Sequence, residues 1–359
     1  MVFAASLFLP LTCAAVTHGG TTKAPVDPYD QWIATAATTL DRLPDPDGLV
    51  TAALLQPLIG TSGRQSLQRL DQAAKQEPAA ADIAALAMLK CEEISGCDTR
   101  TRARHLQTLA PANALGWLLD LHAASQQNDA PQVTRILQRM AQAGHFRTYQ
   151  TSLTKRIHDG LEDLSPPPFE NGPRPYHLSG DNARILQTRI LVNLLPVPAY
   201  QDLVFACQPN EAEFALRTPA CRRIATELTQ SWSLLAHLIG VNLQRWTARD
   251  AQDYRQALVL GREADWLMPM RGTYCDNQAH IVSCLGVDMK AASELDACRA
   301  IARQQGKPVT PPDTWVDRNQ QRRIHRDQEK FHHSPGFASA NGKPSFGTDP
   351  APGGTKHSP

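Results

Sequence analysis

The chain is expected to fold as an all-α protein, a stack of antiparallel helix hairpins of the α-solenoid kind stapled by disulfides, and three observations lead there. Ala, Leu, Gln and Arg dominate its middle while alternating β-branched runs are missing, a composition that favours helix over strand. Pro78 and Pro111 stand 33 residues apart, and each opens a unit with an apolar helix, a polar turn and a second helix. Six cysteines fall in close pairs, the pattern of local staples in an oxidising compartment. Because one hairpin buries only one side of itself, neighbouring units must stack to complete a core.

The totals set bounds. With 359 residues, 42% of them apolar, the chain is long enough to bury a sizeable core. A net charge of +1 removes the field-based argument for nucleic acid or an acidic membrane as a general partner. Residues 2–16 carry no charge and are too few to span a bilayer, so residues 1–17 read as a signal peptide, start-truncated because no basic residue precedes the run. Lipidation at Cys13 is the lesser alternative, since Pro10 and Thr12 stand where the signal wants Leu and a small residue. A periplasmic or secreted location follows.

Asp30 is placed to cap a first helix through Trp32, Ile33, Ala36 and Leu40, ended by Pro44 and a Pro-Asp-Gly turn. Leu49 to Leu55 forms a short second helix, and Ser62 starts a third carrying Leu67 and Leu70. Ile83, Leu86, Ala87 and Lys90 share one helix face, and the Cys91 to Cys97 loop follows, with Gly96 allowing its tight return. Arg102, Leu106 and Leu109 belong to the return helix. Asn113 caps the next one, which buries Trp117, Leu118, Leu121 and Ala124; Asn128-Asp129 makes the turn into Val133, Ile136, Leu137 and Met140.

This stretch, residues 77–140, resembles a divergent tetratricopeptide repeat. Pro111 stands where that family ends a unit, Trp117 at its early aromatic position, and Asn128-Asp129 at its Gly-Asp turn. Val133, Leu137, Met140 and Asp120-Leu121 depart from the family's small, aromatic, small and Leu-Gly positions. The cysteine loop ahead of Pro-Ala-Asn-Ala-Leu-Gly-Trp is also similar to uncharacterised exported bacterial helical proteins. What the resemblance implies is a concave face that binds protein segments, hence an interaction or scaffolding role, with residues 28–164 as the repeat region.

Helix is expected to continue from His145 to Leu164. The Pro-rich residues 165–178 read as a linker, and 179–306 as a second helical region. There Asp181 caps a helix through Leu195, and Tyr200 to Cys207 and Cys221 to Thr229 flank a polar loop, with Thr218 as cap and Pro219 as first helical residue. Trp232 to Trp246, Gln252 to Trp266 and Ala291 to Gln305 complete it; the spacing assigns no element to 267–287. From 307 to 359 the composition reads as a largely disordered tail.

Candidate chemistry is sparse. The disulfide candidates are Cys91 with Cys97, Cys207 with Cys221, and Cys275 with Cys284; the odd cysteine is Cys298 or one of Cys275 and Cys284. Ser152-Leu-Thr-Lys155 matches the serine-lysine motif of penicillin-interactive enzymes, which makes a cell-envelope hydrolase the alternative, yet the companion Lys-Thr-Gly is missing. An inhibitor or immunity-type protein of a partner enzyme is a third reading. No CxxC, HExxH, GxSxG, Walker loop or dinucleotide fingerprint occurs, so no metal or cofactor is expected. Glu92-Glu93, Glu162-Asp163 and Glu263 with Asp265 point to different sides of a helix and read as solvated faces. The stretch with His325, His332 and His333 among arginines reads as a solvated basic helix. Trp117, Trp232 and Trp246 are packing residues or, as the sharper option, walls of a ligand groove.

Overall fold

The computed structural model describes residues 28–42, 45–60, 62–164, 166, 180–209, 211–275 and 280–330. The expected leader with Cys13, nearly all of the expected linker, and the tail beyond 330 with His332 and His333 lie outside these residues. Within them the chain forms sixteen α-helices and no strand, the all-α class that its composition announced.

The first eight helices are α1 (Pro28–Leu40), α2 (Pro46–Leu55), α3 (Gly63–Gln76), α4 (Ala81–Glu92), α5 (Thr99–Leu109), α6 (Leu118–Gln126), α7 (Ala130–Gln142) and α8 (Gln150–Gly160). Asp30 lies within the first turn of α1 rather than capping it. The Pro-Asp-Gly expected as a turn is instead the start of α2, with Pro46 at the first helical position and the Asp45 carboxylate accepting from the Gly48 N–H at 2.6 Å. Asp98 and Asp129 cap α5 and α7 in the same way.

From α1 to α5, helices next to each other in sequence also pack together, and α6 packs on α7. Every residue of α2 from Gly48 to Leu55 and of α4 from Asp82 to Cys91 is buried. Helices buried over such lengths need packing partners on every side, and α8 supplies a wall for both. It does not prolong α7 as expected. The chain leaves helix at Gly144 (φ 89°), His145 pairs with Asn113 across a single bridge, and Tyr149 (φ 60°) turns the chain back. Asn113, fully buried, holds the reversal: its Oδ1 accepts from the N–H groups of Leu115 and Arg147, and its Nδ2 donates to the Arg147 carbonyl. From there α8 runs onto α2 and α4.

Two features pin it. The Arg156 guanidinium donates to Asp47, Glu77 and Asp82, each at 2.7 Å, joining α8 to α2, α4 and the end of α3. Burial opposes its charge, but the bonds to Glu77 and Asp82 outweigh that and hold it well above the ordinary value. At Gly160, a Cβ would stand 2.6 Å from the Asp47 carbonyl oxygen, so α8 and α2 touch backbone to backbone. Replacing Gly160 with Ala is expected to destabilise the fold by about 1–3 kcal/mol through overpacking. Gly272→Ala, where the added methyl meets nothing within 4 Å, should stabilise by about 0.5–1 kcal/mol, because alanine loses less entropy in a helix. Urea midpoints of the two variants read the contrast.

The second half comprises α9 (Asp181–Val192), α10 (Gln201–Ala206), α11 (Phe214–Thr229), α12 (Leu234–Trp246), α13 (Ala251–Cys275), α14 (Ile281–Lys290), α15 (Glu294–Gln304) and α16 (Arg318–Lys330). Gly180 is the residue before α9, and Asp181 is its first residue. Pro219 lies inside α11, which starts earlier than expected at Phe214, and the Thr218 hydroxyl donates to the Phe214 carbonyl instead of capping. α13 runs past Trp266 to Cys275 with Pro269 inside it.

Residues 307–330 depart most from expectation. Instead of a disordered start to the tail, this stretch lies along α13: the Trp266 indole donates to the Pro308 carbonyl, Arg262 donates to the carbonyls of Pro312 and Trp315, and Trp266 meets the Trp315 ring edge-on at 5.3 Å. α16 then closes against α12 and α13. Asp327, 3% exposed, accepts from Arg245 at 3.1 Å and from the Tyr254 hydroxyl at 2.9 Å. Only the outer face of α16, with Arg318, Arg322 and Arg326, is the solvated basic helix the sequence suggested. Glu263 and Asp265 are likewise not solvated faces, because Glu263 binds Arg299 at 2.7 Å and Asp265 binds Arg323 at 2.9 Å.

The apolar cores cross the expected division between 28–164 and 179–306. One joins α4–α7 to α10–α12; another joins α1–α4 to α8 and Leu191 of α9.

Candidate functional site

The three cysteine pairs are bonded, with Cα separations of 5.5 Å for Cys91–Cys97, 5.8 Å for Cys207–Cys221 and 5.7 Å for Cys275–Cys284. Cys298 is the odd thiol; it is buried, and burial pushes its pKa up to about 11, so it is no ready nucleophile. The bridges suit an oxidising environment. No helix among the described residues is long and apolar enough to cross a membrane.

Ser152 and Lys155 both lie on α8, but they do not form a catalytic pair. The Ser152 hydroxyl donates to the Tyr149 carbonyl at 3.0 Å, and the exposed Lys155 ammonium is bonded to Asp159. That bond raises the Lys155 pKa, whereas a lysine acting as base needs a depressed one. Among the described residues, no group of three or more His, Cys, Asp or Glu side chains is placed to hold a metal.

The tryptophans pack. Trp117 and Trp246 lie against the core shared by the two halves, with the Arg139 guanidinium 5.3 Å over the Trp117 ring. Trp232, half-buried, joins α12 to α15 through its carbonyl, which accepts the Glu294 N–H at 2.9 Å. None of the three lines the cavity at the seam of the two halves.

That cavity, of about 250 Å³, is the feature that the backward run of α8 creates. Its lining includes Leu86 and Leu89 of α4 and Leu153 of α8, aliphatics that are themselves buried and form its apolar floor. Arg156, one turn beyond Leu153, holds this floor in place. The walls are Val192, Asn193 and residues 195–198 on one side, and Ser233 with Leu235 at the start of α12 on the other. Val197 is 64% exposed and Leu235 46%, so the rim offers apolar surface to solvent. Glu294 is committed elsewhere, its carboxylate accepting from the Leu234 N–H at 2.6 Å.

Two polar features converge on this apolar slot. The Thr148 Oγ1 is buried without a hydrogen-bond partner. Residues 196–199 belong to no helix or strand and make no backbone-to-backbone hydrogen bond among the described residues, so the Val197 N–H and carbonyl are not taken up by a main-chain partner there. The volume lies below the roughly 300–1,000 Å³ of small-molecule and cofactor sites, which suits one or two side chains of an inserted segment.

Sequence reasoning missed this site. Its residues run from Leu86 to Glu294, and no periodicity links positions so far apart. The one local signal was Pro196-Val197-Pro198, a spacing that holds the chain extended.

Comparison with family models, with curated proteins and with solved structures finds no match to this chain.

Proposed function

We propose that this is an exported protein of the periplasm or the exterior that binds an extended segment of another protein in the groove at the seam of its two halves. The observation that carries the reading is a slot floored by Leu86, Leu89 and Leu153 and rimmed by exposed Val197 and Leu235. The Val197 N–H and carbonyl, without a main-chain partner among the described residues, would add a donor and an acceptor for a bound main chain, as in strand-addition modes of peptide recognition. A divergent tetratricopeptide-like origin of residues 77–140 is part of the proposal, supported by the sequential packing of α1–α5 and of α6 on α7. The binding face differs from the one that family would use, since α8 occupies the side of α2 and α4 where an open array leaves room. An inhibitor or immunity role is the special case in which the bound segment belongs to an enzyme.

Panning a displayed library of random peptides tests this. Enriched sequences should carry apolar residues two apart with no net charge requirement, and should bind the purified protein in the micromolar range. Leu235→Asp and Val197→Asp, both on exposed positions, should each weaken binding about tenfold or more, the loss of one buried aliphatic anchor. Enriched peptides that bind both variants as well as the parent would refute the groove.

A further inference from the structure

A second cavity, of about 470 Å³, opens at the amino end of α3, beneath the disulfide-bonded loop. The geometry there calls for a ligand of a different kind. The Ser62 side chain caps nothing, and the first-turn N–H groups of Gly63 and Arg64 have no hydrogen-bond partner among the described residues. Helix-end N–H groups of this sort attract negative charge, and the helix dipole adds to the pull.

Side chains strengthen it. Lys90 reaches the cavity from the end of α4 with its side chain only 10% exposed, and one of its three donors is used, on Glu93 at 3.0 Å. The exposed Arg64 also lines the cavity and has no ion pair among the described residues. Ser66, fully buried and part of the same lining, has an Oγ without any partner, an orphan that needs an acceptor. The Cys91–Cys97 bridge keeps the loop folded over this end of α3. Ile94 comes so close to Gly63 that a Cβ there would meet it at 3.2 Å, and Ser95 sits in the lining.

We propose that this cavity binds a tetrahedral oxyanion, a phosphate group free or carried as an ester. Two backbone N–H groups, hydroxyls at Ser62, Ser66 and Ser95, an ammonium and a guanidinium offer more donors than the two oxygens of a carboxylate accept. The cavity also exceeds the bare ion, which leaves room for a substituent. Glu93 opposes the anion and holds Lys90 in its absence; being 54% exposed, it swings away when phosphate takes its place.

The test is titration of the isotopically labelled protein with inorganic phosphate, O-phosphoserine and acetate, followed through the amide signals of Gly63 and Arg64. Phosphate should move both signals, and acetate should bind at least about tenfold more weakly. Phosphoserine binding more tightly than phosphate assigns the ligand as an ester; equal binding assigns the free ion. Arg64→Ser on the surface should weaken phosphate about tenfold, and Glu93→Gln should tighten it. Ser66→Ala gives the sharpest readout: removing an unpaired buried hydroxyl leaves the free protein as stable or more so, yet weakens phosphate binding. Amide signals unmoved by phosphate, equal affinity for acetate, or Arg64→Ser and Ser66→Ala binding like the parent would each overturn the proposal.

Discussion

Reduction of the three disulfides is expected to leave the protein close to unfolding at room temperature. The bridges span 6, 14 and 9 residues, and the chain-entropy relation assigns loops of such lengths about 2–3 kcal/mol each. Together that is on the order of 8 kcal/mol, against a total stability of about 5–15 kcal/mol for a folded domain. Cys207–Cys221 closes the longest loop and lies within the core shared by both halves, so Cys207→Ala with Cys221→Ala should cost the most, about 3 kcal/mol before any cavity is counted. Guanidinium denaturation of oxidised and reduced protein measures the difference. Equal midpoints would mean that the bridges contribute nothing to holding the helices together.

Asp327→Ala should destabilise the fold by about 3–5 kcal/mol, the usual consequence of removing one partner from a buried ion pair. The side chains of Arg245 and Asp327 are 3% and 5% exposed, so the guanidinium left behind has no water to turn to. The Tyr254 hydroxyl and, at 3.4 Å, the Trp246 indole lose the same acceptor. Because α16 lies at the carboxyl end of the described chain, the loss should show first as rapid amide exchange in α16 and in the 307–317 stretch. Arg245→Met together with Asp327→Leu should recover most of the stability, since an apolar pair of similar size removes the stranded charge. Asp327→Ala with an unchanged urea midpoint would show that α16 adds nothing to the core.

The sequence carried the local part of this structure. Helix class, the turn at Asn128-Asp129, the cap at Asn113 and the disulfide pairs Cys91–Cys97, Cys207–Cys221 and Cys275–Cys284 all depend on residues no more than 14 positions apart, where propensity and loop geometry decide. Errors began where the same local signal serves two structures. Pro46 and Pro219 read as a turn and as a helix start, but one begins α2 and the other lies within α11. The basic stretch of α16 read as solvated because its buried carboxylate, Asp327, is lost among arginines until Arg245 is placed opposite it.

What the amino-acid order determined by itself is which face of each helix is apolar, for the spacing of Leu67 and Leu70 or of Ile136 and Met140 says so without reference to any other segment. It does not say what covers that face. That choice rests on pairs far apart in the chain, such as Arg156 with Asp47 at a separation of 109 residues and Arg245 with Asp327 at 82, and only the tertiary structure joins them. The return of α8 onto α2, and the groove it leaves beside Val197 and Leu235, follow from those long-range bonds, since apolar burial is non-directional and accepts any partner that fits.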